Sequence, residues 1–204
     1  EGRFFAAGAD IPTIAGSLDD PMKEGGLLAE GAKMTDTIAE CDKPVVAAVN
    51  GMALGGGCEL CLACHLRIAS SNAAFGQPEI NLGIIPGWGG THRLPHLVGN
   101  ARASDWLLTG RTVSAEEALQ AGLVTQVVAP EDLMPAARKL ANVLAAKPPV
   151  AVRETLFALR ERVLYPDRGA ALEQAGFEKA ARTADAKEGV AAFLEKREAK
   201  FTGQ

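Results

Sequence analysis

The stretch Asn50-Gly-Met-Ala-Leu-Gly-Gly-Gly-Cys-Glu-Leu60, with its echo Gly76-Gln-Pro-Glu-Ile80, decides how the rest of the chain is read. Gly55, Gly56 and Gly57 follow an apolar run and open what reads as a helix over Cys58 to Cys64, so strand, turn and helix start succeed one another. Glycine has no Cβ, so a ligand can approach its backbone, and the first N–H groups of a helix have no partner within it. Such a place favours developing negative charge. Glu59 sits just inside this helix start, and Glu79 follows a Gly-Gln-Pro turn about one βα unit later. Facing one pocket, the two would form a carboxylate pair. A Gly-rich strand-to-helix turn is common, however, and most surface glutamates are merely solvated, so these residues alone do not prove catalysis.

Composition narrows the class. At 204 residues, 48% apolar and 23% charged, the chain fits one soluble globular domain able to bury a core. A net charge of -4 gives no general basic face, so neither nucleic acid nor an anionic membrane has electrostatic support as a partner. No apolar run approaches the roughly 20 residues needed to span a bilayer, and the N-terminus lacks a secretory pattern. Cys58, Cys61 and Cys64 fall at i, i+3 and i+6, and Cys61-Leu-Ala-Cys64-His65 has the C-x-x-C-H spacing of haem attachment. The residues between them are Leu and Ala, and Ile68 stands where an iron–sulfur site would want a fourth Cys. These thiols, with Cys41, read as reduced, the helical three as small hydrophobes, which suits a cytoplasmic, reducing compartment. His65, His92 and His96 have no metal-ligand spacing, so no metal is expected. Neither a G-x-S-x-G elbow nor a G-x-x-x-x-G-K-[ST] loop is present.

Along the chain, Phe4 to Ala7 reads as a short strand broken at Gly8, and Pro12 to Gly26 as a mobile loop. Leu27 to Cys41 has helical spacing, ended by Pro44, and Val45 to Val49 reads as a strand buried on both faces. Leu66 to Ala69 and Ala73 to Phe75 are short strands, Thr91 to Val98 a helix start with a turn near Pro95, and Val124 to Val128 the last strand. Ser114-Ala-Glu-Glu117 reads as a capping box, with Gly122 as the helix stop. Beyond Glu131 four helices are expected, over 131–147, 151–165, 168–182 and 187–201.

Taken together, Ala6-Ala-Gly-Ala-Asp-Ile11, Lys43 to Gly51, Ala53 to Leu60, Phe75-Gly-Gln-Pro-Glu-Ile80, Gly83-Ile-Ile-Pro-Gly-Trp-Gly-Gly90 and Leu108-Thr-Gly110 resemble the enoyl-CoA hydratase (crotonase) family in order and spacing. The likeness runs to the C-terminus. It implies an α/β fold, the crotonase (ClpP-like) spiral of ββα turns, over residues 1–147, and a C-terminal helical trimerisation region over 148–204. Family members have strands before this point, so an N-terminal part is expected to be missing, and a lost targeting segment would make the mitochondrial matrix the alternative location. The activity implied is hydration of trans-2-enoyl-CoA, with Glu59 activating water and Glu79 handling the α-carbon proton. Coenzyme A would be part of the substrate, with no separate cofactor.

By the same resemblance, the N–H groups of Ala9 and Gly56 would hold the thioester oxygen and Gly87 would help hold the attacking water. Ala7, Asp10 and Ile11 would line the CoA mouth, while Phe177, Phe193 and Lys196 would reach a neighbour's CoA in a homotrimer or dimer of trimers. The sequence departs from the family at His65, where many relatives carry Asp, and at Pro12, where some carry Lys. Keeping both glutamates favours hydration over Δ3,Δ2-enoyl-CoA isomerisation, which needs one base. A scaffold or RNA-binding role is the non-enzymatic alternative, and the acidic balance opposes it.

Overall fold

The chain alternates between two sheets. In this computed structural model, which describes residues 2–17, 19–20, 23–164 and 169–204 and the side chains of all these but 162–173 and 193, β1 (Phe4–Ala6), β3 (Met52–Leu54), β5 (Ala74–Gly76) and β6 (Thr112–Ser114) form one sheet in that order. The other sheet is ordered β2 (Val46–Val49), β4 (Leu66–Ser70), β7 (Gln126–Val128). All neighbours are parallel except β5 and β6. β2 passes directly to β3 and β4 directly to β5, so each pair of strands puts one member in each sheet before a helix follows. This is the winding of ββα turns that the crotonase resemblance implies. Asn50 pins the first crossing: its Nδ2 donates to the carbonyls of Gly2 at 3.0 Å and Phe4 at 3.3 Å.

The helix after β3, α3 (Gly56–Ala63), begins two residues earlier than the apolar pattern suggests and is buried along nearly its whole length. Its C-terminal carbonyls would be orphans in a dry core. Arg67 on β4 resolves this: 5% exposed, it donates from Nε to Leu123 O at 2.7 Å and from one Nη to the carbonyls of Cys61 and Cys64. The core cluster that includes Cys58, Cys61 and Leu62 of α3 also includes Val49, Ala53, Phe75, Val113 and Leu123, all within 1% of full burial and each contributing roughly 1.5–3 kcal/mol if valued as a large aliphatic or aromatic side chain, less for Ala53. The four cysteines are free thiols.

Several elements differ from the sequence expectation. Residues 11–17 are a helix, α1 (Ile11–Ser17), rather than loop. Asp10 caps it, its Oδ2 accepting from Thr13 N at 3.1 Å, and Pro12 lies in the first turn, where its missing N–H costs nothing. α2 (Leu27–Ala39) stops well before Pro44, and β2 alternates between fully and half-buried residues instead of being buried on both faces. α4 (Gly90–Val98) runs through Pro95. Only the bond to Thr91 O is lost there, and burial of Leu94 and Val98 holds the remainder. α5 (Asn100–Thr109), carrying the buried Ala103 and Trp106, was not legible as a helix. α6 (Ala115–Ala121) keeps half of its capping box: Ser114 Oγ accepts from Glu117 N at 3.1 Å, and Glu117 pairs with Arg111 instead of reaching back.

The residues up to Ala39 together with Val45–Arg138 form one compact unit, and Glu40–Pro44 with Lys139–Gln204 form a second. After α7 (Leu133–Ala145), the second unit contains α8 (Pro149–Leu164), α9 (Gly169–Ala181) and α10 (Ala184–Glu195), the last shifted toward the N-terminus from its expected span. Asp185 explains the shift. Buried at the start of α10, it accepts from Thr202 N at 2.7 Å and Gly203 N at 2.8 Å, so the tail folds back on the helix instead of extending it. An apolar groove in this unit exposes Leu159 by 58%, Phe177 by 75%, Val190 by 63% and Leu194 by 73%. Among the described residues no helix is long and apolar enough to cross a membrane, and no group of three or more His, Cys, Asp or Glu side chains could hold a metal ion.

Replacing Arg67 by Leu takes the guanidinium donors from the buried carbonyls of Leu123 and Cys64 and leaves the Cys61 carbonyl only its bond from Cys64 N. Urea unfolding should show a loss of about 2–4 kcal/mol, and a change below ~1 kcal/mol would mean that the helix end has other partners.

Candidate active site

Three glycines let the backbone close on itself here. Gly55, the residue before α3, adopts φ 54°, a left-handed conformation that disfavours side chains, and a Cβ on it would approach Glu79 Oε1 to 3.0 Å. A Cβ on Gly57 would fall 2.1 Å from Ala6 O, so this glycine lets α3 sit directly on β1. Gly8 brings the following segment onto the same helix start, where a Cβ would lie 3.2 Å from Gly56 N. Ala7, Ala9 and Gly56 thus line one cleft of about 660 Å³, together with Glu59, Glu79 and Gly87.

Glu59 is 2% exposed, and its Oε1 accepts from Trp88 N at 2.7 Å and Gly90 N at 2.8 Å. Gly90 is the first residue of α4, so the carboxylate also caps that helix. Burial pushes the Glu59 carboxyl above the ordinary carboxylate range, against the pull of the Gly90 and Trp88 donors and the positive charge of Arg93.

Glu79 stands on a 3₁₀ turn, Pro78–Leu82, whose Pro78 is preset for the first position. Burial raises its carboxyl to about 7, and the charge of Glu59 pushes the same way. With its amide oriented to satisfy both ends, the buried Gln77 places its nitrogen 3.3 Å and 3.2 Å from the two Glu79 oxygens. The Cys58 thiol alongside is driven to about 12, first by burial and then by both glutamates, so it stays neutral. The cleft therefore holds two carboxyls with unlike surroundings. Glu59 is gripped by backbone donors, and Glu79 has a neutral amide and a negative neighbour, so a single proton shared between them favours Glu79.

Other expected residues are placed as follows. Ile11 lines the cleft at 57% exposure, whereas the Asp10 side chain is turned to its capping role on α1. Phe177 lies in the apolar groove of the second unit, and Lys196, just past α10, is exposed with φ 55°. The Phe193 side chain lies outside the described residues. His65 does not disturb the packing at its departure from the family, since its Nδ1 accepts from Val45 N at 3.0 Å.

The sequence did not single out Gln77, Trp88, Gly90 or Arg93. A signal existed for Trp88: it is the sole aromatic residue in the stretch 83–90 and is flanked by Gly87, Gly89 and Gly90, and glycines around an aromatic make room for it. Arg93 holds this loop, donating to Trp88 O at 2.7 Å and to Asp36 at 2.6 Å. For Gln77 and Gly90 nothing in the sequence points to the carboxyls they meet.

Comparison with known proteins agrees with this architecture. The family model for enoyl-CoA hydratase/isomerase matches residues 1–204. A crotonyl-CoA hydratase of Syntrophomonas wolfei is 48% identical over 98% of this chain and 76% of its own length. A short-chain-enoyl-CoA hydratase of Clostridium acetobutylicum is 44% identical over 96% of this chain and 74% of its own length. Among solved structures, an enoyl-CoA hydratase from Bacillus anthracis superposes with a TM-score of 0.91 at 38% identity, covering 100% of this chain and 79% of that one. A Geobacillus kaustophilus protein described as enoyl-CoA hydrates subunit I has the same TM-score of 0.91 at 48% identity, covering 100% of this chain and 78% of that one. With the ββα winding, the glycine turn and the paired glutamates all in place, the chain belongs to the enoyl-CoA hydratase/isomerase family and is an enzyme built on the crotonase fold.

Proposed function

We propose that this enzyme adds water to trans-2-enoyl-CoA thioesters, giving 3-hydroxyacyl-CoA by syn addition. The observation that carries the reading is the pair Glu59 and Glu79, two carboxyls with unlike surroundings in one cleft that the glycine start of α3 also lines. The names of the relatives, crotonyl-CoA hydratase and short-chain-enoyl-CoA hydratase, point the same way.

In this mechanism the thioester oxygen accepts from Ala9 N–H and Gly56 N–H. Glu59 takes a proton from water, held also by Gly87 N–H, as the hydroxyl oxygen bonds to the β-carbon. The electron pair of the double bond moves to the α-carbon and thioester, where the fixed backbone donors stabilise the enolate without reorganising. Glu79 then delivers its proton to the α-carbon. One proton leaves water for Glu59 and one leaves Glu79 for the product, so the pair ends with the single proton it began with. The reaction needs no resident cofactor. Ala7, Asp10 and Ile11 form the mouth for CoA, and the exposed Phe177 and Lys196 meet a neighbouring subunit's CoA. The apolar groove around Phe177 supports a trimer or dimer of trimers, because side chains this exposed gain from burial against a second copy.

A crotonyl-CoA hydration assay tests the function directly and separates it from isomerisation. Glu59→Gln and Glu79→Gln should each lower kcat by roughly two to four decades, non-additively. Glu59→Gln keeps an oxygen for the Trp88 and Gly90 donors and should unfold at close to the parent temperature. Near-normal hydration in either variant would end the two-glutamate mechanism. Solvent deuterium exchange at the α-carbon of a hydroxyacyl-CoA should survive better in Glu59→Gln than in Glu79→Gln, and equal exchange would remove the division of roles.

The pH dependence follows from the proton count. Below the lower pKa of the pair both carboxyls are protonated, and above about pH 7 both are ionised, so kcat/KM should be bell-shaped with its alkaline limb near 7. Dehydration uses the same singly protonated pair and should give the same profile. A flat profile from pH 6 to 9 would contradict it. Finally, sedimentation at micromolar concentration should show a trimer or hexamer, and a monomer would end the proposed subunit-bridging CoA site.

A further inference from the structure

One aromatic side chain, Trp88, lines the cleft beside Glu59. A Cβ added to Gly56 would fall 2.2 Å from the Trp88 ring, and one added to Gly31 on α2 only 1.9 Å from it. The indole therefore lies in contact with both glycine backbones and fills the gap between α2 and the start of α3. It is held there: Nε1 donates to Leu27 O at 3.2 Å, while the Trp88 carbonyl accepts from Thr35 Oγ1 at 2.8 Å and Arg93 at 2.7 Å. Leu28 backs the same wall, its Cδ1 standing 2.4 Å from where a Gly87 Cβ would be.

This inference rests on the hydratase reading. With the thioester oxygen on Gly56 N–H and the β-carbon facing Glu59, an acyl tail leaves the reacting carbons toward the residue whose N–H holds Glu59, which is Trp88. The geometry points to Trp88 as the residue that sets acyl length: its indole occupies the space between Gly31 and Gly56 into which a longer tail would extend, so the site selects short enoyl thioesters over medium and long ones. Apolar walls discriminate by volume, and each methylene refused or admitted is worth roughly 10–200-fold in kcat/KM. Removing the ring opens the gap without touching either carboxyl.

The test is the ratio of kcat/KM for trans-2-decenoyl-CoA to that for crotonyl-CoA, measured on the parent, Trp88→Phe and Trp88→Leu. A ratio within one enzyme cancels any general loss of activity from disturbed packing. The ratio should be low in the parent and rise about tenfold or more in Trp88→Leu, with Trp88→Phe between them. An unchanged ratio in a variant that still hydrates crotonyl-CoA would overturn the inference, as would a parent enzyme that treats both substrates alike. Calorimetric binding of butyryl-CoA and decanoyl-CoA to the same three proteins separates this inference from the mechanism. A parent that hydrates neither enoyl substrate but binds decanoyl-CoA weakly, with Trp88→Leu binding it about tenfold tighter relative to butyryl-CoA, would remove the hydratase reading and keep the role of Trp88. Equal relative binding in parent and Trp88→Leu would remove that role.

Discussion

Two backbone N–H groups converge on a single carboxylate oxygen, and the site depends on that convergence. Trp88 N and Gly90 N both donate to Glu59 Oε1, which joins the buried helix α3 to the loop over residues 83–90 and to the start of α4. Gly90 opens α4 and Trp88 lies two residues before it, so neither N–H has a partner within the helix, and Glu59 is in a place where an unpaired charge would be expensive. Each side solves the other's problem. Both bonds fall on Oε1, so one residue caps a helix and, in the mechanism proposed above, also serves as the base. A Gln at this position can preserve the first job while losing the second.

Close backbone approach is the other constraint, and glycine satisfies it in more than one way. Gly55 adopts a left-handed turn beside Glu79, Gly57 sets α3 on the carbonyl of Ala6, and Gly31 meets the five-membered part of the Trp88 indole while Gly56 meets the six-membered part. The ring is thus a wedge between helices that contain no side chain at the contact points. What the packing achieves chemically is an apolar wall next to the N–H groups that would receive the thioester oxygen in the proposed mechanism, and donors in such surroundings stabilise charge more than they would in water.

The electrostatics of the pair grow from the same packing. Burial raises both carboxyls, but the donors and Arg93 oppose the rise at Glu59, while the neighbouring charge adds to it at Glu79. The environments push the two apart, which is the asymmetry that the proposed division into acid and base draws on, without any difference in residue type. Burial, with the charges of both glutamates adding to it, pushes the Cys58 thiol up to about 12, so it stays neutral near pH 7.

The glycine turn, both glutamates, the alternation of strand and helix and the helical C-terminal third were legible in the sequence, because glycine, proline and apolar periodicity act locally on φ, ψ and burial. The Ser114 cap and the Gly122 stop were legible for the same reason. Local signals also misled. The Gly, Pro, Asp and Ser content of residues 12–26 suggested a loop, although Asp10 and Pro12 start a helix there, and Pro95 suggested a turn where buried Leu94 and Val98 hold a helix together. What only the tertiary structure decided was direction: which donors reach Glu59, which amide reaches Glu79, and where the Trp88 ring lies. Those partners come from separate turns of the spiral, and the forces that bring them together are contacts between elements, which no local pattern encodes.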